Sequence, residues 1–320
     1  MSLSSRTEYL LTSLIAVASL AVCLCATNAR AQELSDIPAA FVETGMGARS
    51  VGMAGAVTAR AMGAESIFWN PAGLEGSETP REFTATYGDQ MGLVPYSALS
   101  GAIRMNGGYT LGVGLIYSGD EVLTETTALV GASRAILTTP WLPATHISAG
   151  ASARTRWASF GGTAGTEEQV SGSALGFSLD LGLLVPLTES VVVAARARDL
   201  VGSLKWNSST SGAYDESVPA TVAFGLMVSP REAVSLELDR DKSLRQDNPD
   251  RLMAGAEVRV FDVASLRGGY VRDLPPGEFE EYTLGAGAGI PVGGTTFSVD
   301  FAYVFGYLEN TMRFSLRIAL

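Results

Sequence analysis

From about Arg81 to the last residue the chain repeats one pattern: roughly ten residues of alternating apolar and polar positions, then a turn or loop. In "FSLDLGL", Phe177, Leu179, Leu181 and Leu183 fall on one side, with Ser178, Asp180 and Gly182 on the other. "FSVDFAYVF" sets Phe297, Val299, Phe301, Tyr303 and Phe305 against Ser298, Asp300 and Ala302. "MRFSLRIAL" sets Met312, Phe314, Leu316, Ile318 and Leu320 against Arg313, Ser315, Arg317 and Ala319. Successive side chains of an extended chain point to opposite faces, so a period of two predicts β-strands.

Such segments fall near 82–88, 97–105, 109–118, 126–139, 144–158, 174–185, 189–199, 219–228, 233–241, 251–260, 263–272, 280–291, 295–305 and 311–320, which makes 14. An even number is what a closed single-chain bacterial barrel requires. The connections also alternate in length. Short ones lie at 106–108, 186–188, Pro230, 261–263 and 292–294; long ones include "TRWASFGGTAGTEEQVSG", "DLVGSLKWNSSTSGAYDESV", "DKSLRQDNPDR" and "RDLPPGEFE". Short periplasmic turns and longer outer loops produce that alternation, and a periplasmic C-terminus puts every long connection outside. Asn106-Gly107 is a tight-hairpin pair, since both residues tolerate positive φ.

The polar strand faces carry Asp180, Arg196, Arg198, Glu237, Asp239, Glu257, Arg259, Asp300, Arg313 and Arg317. A lipid-facing Arg at mid-membrane costs about 2–4 kcal/mol, so this face must look into the lumen. Tyr87, Tyr96, Tyr109, Tyr117, Trp141, Trp157, Tyr270, Tyr282 and Tyr307 sit near segment ends, as an interfacial girdle would. A secreted structural β-protein would explain the alternation, but not the even count and the alternating loop lengths together.

The first residues break the pattern. Arg6, the apolar run 10–24 and Ala29-Arg30-Ala31 read as a secretory signal peptide, residues 1–31, cleaved before Gln32. Both cysteines, Cys23 and Cys25, leave with it, so the mature chain has no disulfide and no thiol chemistry. Losing Arg6, Arg30 and Glu8 takes the net charge from −11 to −12, which argues against nucleic-acid partners.

Candidate chemistry is sparse. His146 is the only histidine, so no catalytic triad or histidine-cluster metal site can be assembled, and no catalytic, cofactor-binding or metal residue is assigned. Asp239, Asp241, Asp247 and Asp250, with Arg240, Lys242, Arg245 and Arg251, read as a solvated mixed-charge loop without calcium-site spacing. "GMGARSVGMAGA" lacks the Gly-Lys-Ser/Thr ending of a phosphate loop, and "GAGAGIPVGG" (285–294) reads as a small-residue strand where backbone or hatch packs closely. In "ESIFWNPAGLEG" (65–76), Asn70 is a favoured N-cap and Pro71 suits the following position, so a short capped turn is expected. Phe68 and Trp69 either wedge that turn against a wall or touch an apolar cargo.

The block "GMGARSVGMAGAVTARAMGAESIFWNPAGLEG" (45–76) resembles the N-terminal signature of PorV/PorQ-type proteins within the FadL-like outer-membrane superfamily. "VPATVAFGLMVSP", "RLMAGAEVRVFDVASLRGGYVRD" and "VDFAYVFGYLENTMRFSL" look like that family's barrel segments, so the resemblance covers most of the mature chain. It implies an all-β transmembrane antiparallel barrel of about 14 strands (residues 81–320) with a small N-terminal hatch containing short helices (residues 32–80). The hatch motif would be Phe68, Trp69, Asn70, Pro71, Ala72 and Gly73, with the hatch glycines Gly45, Gly47, Gly52 and Gly55. Phe314, Leu316, Ile318 and Leu320 would carry the barrel-assembly signal, although Leu320 departs from the usual terminal aromatic. Met62-Gly63-Ala64 likewise replaces part of an acidic run. The implied role is a non-enzymatic, secretion-associated (type IX-like) component of a Gram-negative-type outer membrane, handling exported proteins. The alternative is a FadL-like channel for uptake or export of hydrophobic small molecules. Expected partners are outer-membrane lipid, the barrel-assembly machinery, and secretion-system proteins or a hydrophobic ligand.

Overall fold

A computed structural model describes residues 46–60, 62–77, 79–90, 94–120, 122–139, 142–164, 168–244, 249–261, 263–274, 279–306 and 310–320. The expected signal peptide, Gly45, Trp141 and Tyr307 lie outside the described residues.

The strands are β1 (Arg81–Gln90), β2 (Val94–Met105), β3 (Tyr109–Gly119), β4 (Leu123–Thr139), β5 (Leu142–Ala164), β6 (Glu168–Thr188), β7 (Val191–Arg198), β8 (Ser203–Ser208), β9 (Gly212–Ser217), β10 (Thr221–Arg231), β11 (Val234–Ser243), β12 (Asp250–Val260), β13 (Ala264–Leu274), β14 (Glu280–Val292), β15 (Thr295–Phe305) and β16 (Thr311–Ala319). Neighbours from β1 to β7 and from β10 to β16 pair antiparallel, β7 pairs with β10, and β16 returns to β1 from Glu82↔Ala319 to Gly88↔Arg313. The closed ring therefore has 14 strands.

Two stretches expected to be long loops are strands instead. β5 and β6 stay paired from Ser148↔Leu184 to Ala164↔Glu168, far above the ends of β3 and β7. β8 continues β7 after a kink at Asp199 (φ 55), pairs with upper β6 from Gly172↔Ser208 to Phe177↔Ser203, and turns back through β9. Upper β5 and β6 alternate mainly through Ser, Gly, Thr and Ala with little hydrophobic contrast, whereas β8 sets Leu204 and Trp206 against Lys205 and Asn207 but over only six residues. Cross-strand contacts hold them: Leu204 packs on Ala158 and Ala174, and Trp206 lies 6.0 Å from Phe160 and 6.3 Å, stacked, from Tyr214.

The faces follow the alternation. Leu99, Val113, Leu181, Phe224, Leu284 and Phe314 stand exposed on the outside, while Asp180, Arg196, Glu237, Asp239, Glu257, Arg267, Asp300 and Arg313 are buried inside. A continuous outer apolar belt with an ionic interior is the arrangement a bilayer selects, and water would not. Of the girdle aromatics, Tyr87, Tyr109, Tyr117, Trp157 and Tyr282 face out. Tyr96 does not: it is buried in the lumen with the Arg313 guanidinium 4.5 Å over its ring.

Candidate functional site

The lumen is occupied by the chain's own N-terminal part. Residues 46–77 form α1 (Ala48–Val51), a 3-10 turn (Gly63–Glu65), α2 (Ser66–Trp69) and a second 3-10 turn (Pro71–Gly76). Helices this short are not stable alone, so the surrounding wall must hold them. This hatch touches all 14 strands of the ring.

Asn70 organises it. In an extended conformation (φ −139, ψ 106) its side-chain oxygen accepts from the Ala72 N–H at 3.1 Å, capping the turn that Pro71 begins. Its Nδ2 donates to the Thr58 carbonyl at 2.8 Å, tying two passes of the hatch together. Ala72 is fully buried, and Gly73 lies against Ser66 and the Arg60 carbonyl, where a side chain would collide. Phe68 reaches the wall and packs with Ile67, Leu74, Tyr96 and Leu129. Trp69 packs on the hatch's own Met53, Val57 and Met62, its Nε1 donates to the Met46 carbonyl at 2.8 Å, and the Arg196 guanidinium of the wall lies 5.8 Å from its ring. Of the hatch glycines, Gly47 has φ 87, and a Cβ there would come 2.6 Å from Glu65 Cδ. Gly55 faces the Trp69 ring, and Gly52 meets Gly285 of β14 backbone to backbone.

Residues 46–60 meet β11, β12, β13 and β15 through a buried ion network, and they also pack apolar groups on the wall, Ala48 and Val51 on Ala302 and Val304, and Ala54 and Ala56 on Met253 and Val271. Asp239 accepts from the Val57 and Thr58 N–H groups at 2.9 and 2.8 Å, and Glu237 from the Ala59 N–H at 2.9 Å. Arg60 bridges Glu237 at 3.2 Å and Glu257 at 2.7 Å. Glu257 also meets Arg49 at 3.2 Å and Arg267 at 2.6 Å, and Arg267 continues to Asp300 at 2.5 Å. Burial, reinforced by Asp300, pushes the hatch carboxyl of Glu65 up to about 7.

Residues 62–77 meet β2–β6 by apolar packing and close backbone approach. Gly112 leaves room for Leu74, and Gly114 for Phe68, where a Cβ would stand 2.6 and 2.7 Å from those side chains. At Gly150 an added Cβ would collide with the Pro71 carbonyl. Polar ties here are mostly single hydrogen bonds: Glu75 accepts from Ser148 at 2.9 Å with His146 3.4 Å away, Glu82 accepts from the Ala64 N–H at 3.1 Å and the Ser77 hydroxyl at 3.0 Å, and Arg104 donates to the Ser77 carbonyl. Arg196 and Arg198 donate to the Trp69 and Phe68 carbonyls, both at 3.2 Å, at the C-terminal end of α2.

Sequence reasoning placed Asp239 both on an inward strand face and in a solvated outer loop. The structure puts it inside, and Asp241 with it, 2.5 Å from Arg196. The small-residue strand at 285–294 reads as a place of close packing, and Gly285 does meet the hatch there, but Gly112, Gly114 and Gly150 and the cations Arg49 and Arg60 were not singled out. Inward positions holding Gly where neighbouring strands hold charge would have marked the glycines as sites of close approach. Phe314, Leu316 and Leu320 stand on the outward, exposed face of β16, with Ile318 partly covered beside them.

Among solved structures, the chain resembles the Ralstonia pickettii toluene transporter TbuX (TM-score 0.58, 16% identity, 86% of this chain and 97% of that one). It also resembles the P. putida toluene transporter TodX (TM-score 0.56, 16% identity, 86% and 97%) and a Pseudomonas aeruginosa FadL homologue (TM-score 0.56, 12% identity, 84% and 96%). At such identities the likeness is one of fold. No family model and no curated protein matches the chain.

Proposed function

We propose that this protein is a non-enzymatic outer-membrane channel for hydrophobic small molecules, with its short-turn rim in the periplasm and its hatch as the closure. The observation that carries the reading is a 14-strand barrel closed by its own N-terminal segment, in a fold shared along most of the chain with hydrocarbon transporters. The exposed apolar belt supports the membrane placement, and residues 1–31 would direct export before removal. Uptake is the test. Cells or liposomes carrying the mature protein should take up a small aromatic or aliphatic hydrocarbon faster than empty controls, and equal rates would reject the reading.

The resemblance of residues 45–76 to the PorV/PorQ signature favours a second reading, a component of a type IX-like secretion system. Deleting the gene should then alter the secreted proteome without altering hydrocarbon uptake. An unchanged secreted proteome would remove this reading.

A further inference from the structure

Charge is rare on the outside of the barrel. Among the described residues, the outward faces of β2, β3, β5–β7, β15 and β16 carry no charged side chain. β11 to β13 differ. Arg240 and Lys242 share the outward face of Leu236 and Leu238, and Arg272 shares that of Leu266 and Tyr270. Arg240 and Arg272 both stand in register with Leu252, on either side of it, which places them about 10 Å apart on one face.

Their height on the wall is informative. One register step towards the short-turn rim runs the row Leu238, Ala254, Tyr270, Tyr282, and the two tyrosine rings lie 5.1 Å apart. The cations therefore sit where the apolar belt ends, on the long-loop side of an aromatic pair, the depth at which lipid headgroups lie. Two carboxylates share the patch. Asp250 takes one Arg240 Nη at 2.8 Å, leaving that side chain 57% exposed, and Glu280 stands in register with Arg272 while accepting from the Tyr282 hydroxyl.

We propose that Arg240, Lys242 and Arg272 form a binding site for a phosphorylated lipid of the outer leaflet. Guanidinium and ammonium groups meet the phosphates, while Leu238, Leu252 and Tyr270 meet the upper acyl chains. Guanidinium suits phosphate because its planar donors engage two oxygens at once. The neighbouring apolar row favours a lipid over a free anion, which would use the cations alone. The site goes beyond the transport reading and shares with it only the membrane placement.

The test uses the mature protein in phosphatidylcholine vesicles, with and without a bis-phosphorylated glucosamine lipid, read by native mass spectrometry and thermal unfolding. The phosphorylated lipid should co-purify and raise Tm. The R240Q/K242Q/R272Q variant should bind it at least tenfold more weakly while keeping the folded gel mobility of the parent. R240K/R272K should recover most of the binding, and R134Q, an outward cation elsewhere on the wall, should leave it unchanged. Equal binding by the triple variant, or an equal Tm rise from inorganic phosphate alone, overturns the proposal. A protein that fails to insert into vesicles overturns the membrane placement instead, and hydrocarbon uptake by the triple variant shows that the transport reading stands apart.

Discussion

Residues 46–60 of the hatch add a buried ion network, Arg49 and Arg60 with Glu237, Asp239 and Glu257, to their apolar contacts with the wall, whereas residues 62–77 meet β2–β6 mainly through Ile67, Phe68, Pro71 and Leu74. The difference matters because the two chemistries fail differently. A buried ion cluster is held together by mutual compensation, so removing one member strands the others. An apolar seat loses only the contacts removed plus the cavity left behind. The ion network is therefore where loss of one charge would loosen the hatch. The apolar side is where shape sets its position.

The largest effect is expected from Glu257→Ala, which leaves Arg49, Arg60 and Arg267 without their shared carboxylate. Loss of one partner from a buried pair costs about 3–5 kcal/mol. Proteolysis should cut residues 46–60 first, and protection equal to the parent would show that the charges do not hold this half. On the other side, Leu74→Ala should cost about 2–5 kcal/mol in urea unfolding, with 62–77 as the first segment exposed. Gly150→Val should cost about 1–3 kcal/mol by displacing Pro71, with the barrel still closed by gel mobility.

A further effect concerns pH. The Glu65 carboxyl is raised from 4.5 to about 7 by burial and by Asp300. The folded protein thus holds this proton where the unfolded chain has lost it. Stability from Glu65 is fully present below pH 4.5, falls as pH rises from 4.5 to about 7, and then levels off. Glu65→Gln should flatten that part of the stability profile; an unaltered slope would assign it to other groups.

Much of the fold is legible in the pattern of side chains, because alternation is local. Leu236 and Leu238 outward with Glu237 and Asp239 between them specify both a strand and its faces, and the same logic yields the 14-strand ring. The capped turn at Asn70-Pro71 is local too, since the capping oxygen and the N–H that donates to it lie two residues apart. The extension of β5 and β6 was not legible because Ser, Gly and Thr alternate there with little hydrophobic contrast, and β8 and β9 alternate over only six residues each, with the partner of β8 far away on β6.

The sequence by itself determined most strands of the ring, which face of each is apolar and turns outward, and the turn at Asn70. Only the tertiary structure decided that Trp69 packs on the hatch, that Tyr96 turns inward, and that Asp239 receives the Val57 and Thr58 N–H groups. The physical reason is distance along the chain. Those last two bonds join residues 182 and 181 positions apart, and no local pattern records a partner that only ring closure brings near.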